Sequence, residues 1–240
     1  MDLVVTLGPA PASASCRQYS GLVEGRSFLT PVEVLFLDVD DTLYPRTNGL
    51  WQAIGERILG YLIDRVGMSE SEAERVRALY LERYGTTLSG LIRHHGVDPL
   101  DYLRVVHDLP LDPFLSSDPR LRRVLEGIPS RKVVFTNAHR EHVERVLACL
   151  QIEDTIDQIV DLLALQMFNK PDPSAYRLAL ELAGDPDPKR CVLVDDRRRN
   201  LLPASELGMY TVLVGPSSED IGGDARIDEI YDLPKVLPSA

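Results

Sequence analysis

The sequence is short of cysteine, short of positive charge and without a long apolar run. Cys16, Cys149 and Cys191 are the three cysteines in 240 residues. An odd, sparse set with no CxxC pair builds neither a disulfide framework nor a zinc site. Cys149 and Cys191 lie among apolar residues and read as core side chains. Lys and Arg number 26 against 37 Asp and Glu, a formal charge of −11. Nonspecific binding to nucleic acid displaces counterions with cationic surface, so this balance argues against a nucleic-acid polymer as partner. It argues equally against an anionic membrane. A small anionic ligand stays open, because one metal ion and one lysine reverse a local field. No stretch approaches the roughly 18 apolar residues of a membrane span. The start, Met1-Asp2-Leu3-Val4-Val5, has no basic segment and too short an apolar stretch for a signal peptide. The cytoplasm is therefore the expected compartment. Hydrophobic residues at 44% and charged residues at 26% are globular values. A chain of this length buries a core unaided and holds one or two domains.

Residues 8–30 are rich in Pro, Ala, Ser and Gly, and residues 1–30 read as a loose arm. Val32 to Leu37 then reads as a buried strand that ends in acid, Asp38-Val39-Asp40-Asp41-Thr42. Over 48–108 the pattern is helical. Trp51, Ile54, Ile58, Leu62 and Val66 form one apolar stripe. Ser69-Glu70-Ser71-Glu72 predicts a capping box, opening a helix with Ala73, Val76, Leu79 and Tyr80 on one face. Thr87, Leu88, Leu91 and His94 suggest a third helix, and Asp98-Pro99 opens a fourth. Strand–helix alternation resumes with Lys132 to Phe135 leading into Thr136-Asn137. A helix with Val143, Val146, Leu147 and Leu150 aligned follows. Asp157 to Leu165 predicts a short strand and a turn, and Ser174 begins another helix. Cys191 to Val194 ends at Asp195-Asp196; a helix then runs to Leu207 and stops at Gly208. Tyr210 to Val214 is a further strand, and Ile227 to Val236 holds a weak edge strand.

Strands alternating with helices imply an α/β fold with a Rossmann-like, doubly wound parallel sheet. Such sheets bind ligands at the carboxyl ends of their strands. That rule brings Asp38 and Asp40, Thr136 and Asn137, and Asp195 and Asp196 to one rim, with Lys170 nearby. Converging carboxylates are costly to ionise together without a cation, and Mg²⁺ is the ion that suits hard oxygen ligands. A carboxylate nucleophile, an oxygen-ligated metal and a lysine make a phosphoryl-transfer site. A phosphate dianion with Asp38, Asp195 and Asp196 carries about −5, and Mg²⁺ with Lys170 returns about +3, so phosphate should bind poorly without metal.

Asp38-Val39-Asp40-Asp41-Thr42, Thr136, Lys170 and Asp195-Asp196, in this order and each after a strand or in a loop, resemble the four motifs of haloacid dehalogenase-superfamily hydrolases. The resemblance covers about residues 32–236. It implies a core of 31–47 and 109–240, with an inserted small helical cap at 48–108. Within the superfamily, Leu35 to Pro45, Tyr84-Gly85-Thr86-Thr87, His94-His95-Gly96 and Thr136-Asn137-Ala138 resemble the pyrimidine 5′-nucleotidase group. The resemblance implies that Asp38 is the nucleophile that forms an aspartyl-phosphate. Asp40 protonates the leaving alcohol and then activates water. Thr136, Asn137 and Ala138 hold phosphoryl oxygens, and Lys170 neutralises Asp38 and the phosphate. Asp195 and Asp196 anchor Mg²⁺, joined by Asp38 and the backbone carbonyl of Asp40. Tyr84, Thr86 and Thr87 are the expected cap contacts to substrate.

One position departs from the pattern: Arg197 stands where the family often has Ser, and Arg198 and Arg199 follow it. The three arginines read as a solvated helix start. His94, His95 and His107 read as structural or surface residues of the cap, and His139 and His142 as residues of a surface helix. The implied activity is hydrolysis of a small phosphorylated metabolite, with UMP or CMP favoured. A sugar phosphate or phosphoglycolate is the alternative substrate. A phosphosugar mutase stays open, as does a catalytically weak module that binds a phosphometabolite. Halide displacement needs no leaving-group acid, so Asp40 counts against a dehalogenase. Asn48-Gly49 and the Leu109-Pro110 region bracket the cap as expected hinges.

Overall fold

The computed structural model describes residues 31–216 and 223–238. The expected arm, 1–30, lies outside the described residues. The first strand, β1 (Val34–Leu37), is buried along its whole length. A strand covered on both faces has no solvent side, which is why Val-Leu-Phe-Leu carries no polar residue. Leu35 and Leu37 pack on one side of the sheet with Val134, Val192 and Val194. Val34 and Phe36 pack on the other with Val133, Phe135 and Leu193. Alternate residues of a strand point to opposite faces, and the two cores follow that period.

After β1 come four helices with no strand between them: α1 (Leu50–Asp64), α2 (Glu70–Tyr84), α3 (Thr87–His95) and α4 (Pro99–His107). α1 buries Leu50, Ile54, Ile58, Tyr61 and Leu62, one face of a 3.6-residue period. α2 buries only Ala73 and Tyr80, and Leu79, expected on its inner face, is 48% exposed. Ser69 holds the cap position of α2, but its hydroxyl makes no capping bond, so the expected capping box does not form. Glu70 and Glu72 instead place negative charge at the positive end of the helix. Thr86 caps α3 by accepting from the Ser89 N–H, and Asp98 caps α4 through the N–H groups of Leu100 and Asp101.

The chain then alternates α5 (Pro119–Glu126), β2 (Arg131–Phe135), α6 (Arg140–Leu150), β3 (Gln158–Val160), α7 (Pro173–Leu182), β4 (Cys191–Asp195), α8 (Arg198–Leu207), β5 (Tyr210–Val214) and β6 (Ala225–Ile227). Asp118-Pro119 and Asp172-Pro173 open α5 and α7 as Asp98-Pro99 opens α4, Asp118 accepting the N–H groups of Arg120 and Leu121 and Asp172 that of Ser174. The sheet is parallel throughout, in the order β3-β2-β1-β4-β5-β6. Leu37 pairs with both Val134 and Val194, and Phe135 with Val160. This register brings Asp38, Thr136 and Asp195 out at one edge. The strand order reverses between β1 and β4, and a ligand crevice forms at such a switch point.

Candidate active site

A cavity of about 100 Å³ lies between this edge and the helical block. Asp38, Asp40, Thr136, Asn137, Lys170 and Asp196 line it from the sheet side, and Trp51, Ile54, Thr86, Thr87 and Tyr102 from the helices.

Asp38 leaves β1 at the switch point, its N–H donating to the Val194 carbonyl of β4. Its carboxylate lies 3.0 Å from the Lys170 ammonium. Lys170 is almost wholly buried, and its other contacts are the Phe135 carbonyl at 2.8 Å and Asp195 at 2.6 Å. An ammonium has three protons, and these three acceptors account for them. Burial works against its charge, but Asp195 and Asp38 together push its pKa above the ordinary lysine value. Asp195 has no exposure at all. It also accepts from the Arg197 N–H and the Asn200 amide. Tyr176 in turn fixes the start of α8 by donating to the Asn200 carbonyl at 2.5 Å.

Asp38, Asp195 and Asp196 each bring a carboxylate oxygen to within 4.8 Å of the others. Burial pushes Asp38 up to about 6, with Lys170 opposing and Asp195 and Asp40 adding to the rise. Asp196 is pushed up to about 8, first by burial, then by Asp38 and Asp195. Asp41 rises to about 6, again mainly through burial. With all three cluster carboxylates ionised, Lys170 leaves the group about two charges negative, and a hard divalent cation suits that donor set. The residues present therefore fit Mg²⁺.

Asp40, two residues from Asp38, has a different environment. Its Oδ1 accepts from the Tyr44 hydroxyl at 2.5 Å and lies 2.9 Å from His142 Nε2. Burial alone would raise its pKa, but the charge and hydrogen bond of His142, with the Tyr44 bond, bring it down to about 2. The Asp40 carboxylate is not part of the acidic cluster. The metal ligand expected from this residue is its backbone carbonyl.

Thr136 follows β2, and its Oγ1 accepts the Ala138 N–H at 3.1 Å, which leaves the hydroxyl proton free to donate. Asn137 was expected to touch phosphate. Its amide instead makes two bonds to the backbone of Lys170, donating to the carbonyl at 3.0 Å and accepting the N–H at 2.7 Å. It lines the cavity, but its strongest contacts hold the lysine loop. Ala138 is buried beside it on the cavity wall.

Thr86 and Thr87 reach the cavity; Tyr84 does not line it. The Tyr84 hydroxyl pairs with His94 Nε2 at 2.6 Å, and its ring lies against Tyr80. Tyr84 ends α2, and a helix end turns adjacent side chains in different directions. Sequence proximity to Thr86 therefore did not place it on the same wall.

The arginine run is not a solvated helix start. Arg197 lies over the Trp51 ring at 5.3 Å and 3.9 Å from Asp196. Arg199 donates to the carbonyls of Leu81 and Gly85 at 2.7 and 2.9 Å, at the end of α2 where helical carbonyls lack partners. Asn169 adds a second tie, donating to the Tyr84 carbonyl and accepting from Ser89. His142 is not on a surface either: it is 1% exposed. Its spacing was the available signal, since 142, 146 and 150 fall on one stripe of α6.

Residues 32–208 match the haloacid dehalogenase-like hydrolases. Phosphate metabolism protein 8 of Saccharomyces cerevisiae is 28% identical over 195 residues, which cover 75% of this chain and 61% of that protein. The chain thus spans about three fifths of the length of that relative. Among solved structures, a HAD phosphatase from Thermococcus onnurineus aligns with a TM-score of 0.59 at 20% identity, covering 85% of this chain and 97% of that one. L-2-haloacid dehalogenase from Xanthobacter autotrophicus aligns at 0.57 with 16% identity, covering 86% and 98%. At these identities the two structures speak for the fold. The family match takes in the strand ends, the helical block and the acidic cluster, and on that ground the chain belongs to the haloacid dehalogenase-like hydrolases.

Proposed function

We propose that this hydrolase is a Mg²⁺-dependent phosphomonoesterase that works through an aspartyl-phosphate on Asp38. One observation carries the reading: two carboxylates two residues apart have opposite surroundings. Asp38 sits in the acidic cluster against Lys170, while Asp40 is held away from it by Tyr44 and His142. Environments that push paired carboxylates apart assign them different roles. The protein's own groups raise Asp38 and lower Asp40, the reverse of what a nucleophile and an acid need. Asp38, Asp195 and Asp196, with the Asp40 carbonyl, would hold Mg²⁺, whose charge favours ionised carboxylates and withdraws electrons from a phosphoryl group. An arriving phosphate dianion raises the proton affinity of Asp40. Asp38 then forms a bond to phosphorus as the ester P–O bond breaks, and Asp40 gives its proton to the departing alkoxide. Asp40 next takes a proton from the water that attacks the aspartyl-phosphate, which restores both side chains. The Thr136 hydroxyl donates to a phosphoryl oxygen. Lys170 keeps Asp38 and Asp195 compensated throughout.

The helical block at 48–108 acts as a cap that keeps bulk water from the reaction, with 31–47 and 109–240 as the core. Gly49, at φ 87, stands at the first hinge. The favoured substrate is a pyrimidine nucleoside 5′-monophosphate, UMP or CMP. Trp51 and Tyr102 give the cavity flat walls for a base, and Thr86 and Thr87 give it hydroxyls. The cavity is compact beside the ~300–1,000 Å³ of common ligand sites. That size favours a second reading, a sugar phosphate or phosphoglycolate. The test is phosphate release from nucleoside monophosphates, sugar phosphates and p-nitrophenyl phosphate, with and without Mg²⁺, beside Asp38→Asn. UMP or CMP leading, with Mg²⁺ required and the variant inactive, supports the first reading. Sugar phosphates leading keeps the chemistry and replaces the substrate.

A further inference from the structure

Asp40 is held from behind by side chains to which the reaction above gives no part. His142 of α6 places Nε2 2.9 Å from Asp40 Oδ1, and the Tyr44 hydroxyl reaches the same oxygen. Both contacts fall on Oδ1, so Oδ2 is the oxygen left for a reacting proton. A carboxylate pinned through one oxygen cannot swing freely, and an acid needs its proton within hydrogen-bond reach of the leaving group.

The support continues one residue further. His107, the last residue of α4, stacks on His142 with centroids 4.3 Å apart and planes 18° apart. α4 belongs to the helical block and α6 flanks the sheet, so this stack crosses from one to the other. Arg145 of α6 holds the same place, donating to the carbonyls of His107 and Leu109 at 2.9 and 2.5 Å. Only when the end of α4 is seated on α6 does the ring of His142 have its neighbour.

We infer that His142 and His107 are positioning residues for Asp40. His142 fixes Oδ2 for the leaving group, and His107 makes that alignment depend on the helical block being seated. The inference rests on the reading of Asp40 as acid and base. It deepens that reading by naming what aligns the acid and which substrates need it: esters of poorly departing alkoxides rather than phenolates.

The experiment compares kcat and KM for UMP, or the fastest alkyl phosphate of the panel, with those for p-nitrophenyl phosphate, whose phenolate leaves without an acid. His142→Ala is expected to slow the alkyl ester by roughly 100-fold or more, the scale of a lost general acid. The aryl ester should change only a few-fold, with KM unchanged for both. His142→Gln, which keeps an N–H donor, should recover most of the alkyl rate. His107→Ala should show a smaller loss with the same selectivity, and His107→Phe, which keeps the stack, should restore it. Melting curves check that each variant is folded; if His142→Ala is not, the other three decide. Equal losses on both esters in folded variants, or His107→Phe as impaired as His107→Ala, would overturn the inference and leave the phosphatase reading intact. A wild-type protein that hydrolyses neither ester overturns both, and that result is seen before any variant is made.

Discussion

Lys170 faces two carboxylates at once, Asp38 at 3.0 Å and Asp195 at 2.6 Å. It is buried between Asp38 and Asp195, with 1% of its surface exposed. Removing one member of a buried ion pair typically costs about 3–5 kcal/mol, because the other charge is left uncompensated. Lys170→Met should therefore lower unfolding free energy by at least about 3 kcal/mol in urea titrations. Unchanged stability would mean that the two carboxylates are protonated or solvated without the lysine. The acids also set a pH dependence. Asp38 and Asp196 bind protons more tightly in the folded protein, near 6 and 8 against an ordinary 3.8. Above about pH 4 the unfolded chain holds fewer protons at these positions, so metal-free stability falls as pH rises towards 8. Asp40 has the opposite sign: its contribution is present above 3.8 and fades as pH drops towards 2. Mg²⁺ should accordingly raise the melting temperature more at pH 8.5 than at pH 5.5, and its binding near pH 7 should release protons. Calorimetry in two buffers of different ionisation heat checks the release, and no buffer dependence would count against the cluster as the metal site.

At the scale of elements, the join between α2 and α3 decides how the helical block meets the sheet. Gly85 has φ 83, and a Cβ there would stand 2.6 Å from the Asn169 amide and 2.7 Å from the Lys170 carbonyl. No side chain fits, and the left-handed backbone disfavours one. Gly85→Ala should destabilise by about 1–3 kcal/mol and weaken Asn169's hold on the lysine loop. A melting temperature within a degree or so of wild type would show that the loop yields. The Arg199 bonds to Leu81 and Gly85 belong to the same join. Arg199→Ala should speed amide hydrogen exchange at the end of α2 while β1 and β4 keep their protection. Equal protection in both proteins would remove Arg199 as a tie. These contacts also show what a sequence reveals of an element. Asp98-Pro99 opened a helix as expected, because both the cap and the proline act within a few residues. Ser69 did not use its hydroxyl, and Tyr84 turned away, because tertiary surroundings choose among local options.

Across the whole molecule, the parallel sheet was legible because its strands are apolar on both faces and end in polar residues. Topology then gathers Asp38, Thr136, Lys170 and Asp196 on one cavity from distant parts of the chain. The cross-links between layers were not legible. His142 on Asp40, Arg197 on Trp51 and Asn169 on Ser89 join residues 80 or more positions apart, and no local period encodes them. The proposed reaction is covalent, so quenching the protein with acid during turnover of p-nitrophenyl phosphate with Mg²⁺ and mapping the phosphoryl group by peptide mass tests it. An adduct is expected on the peptide that contains Asp38, and none in Asp38→Asn. Steady phosphate release with no adduct, and with Asp38→Asn still active, would contradict it.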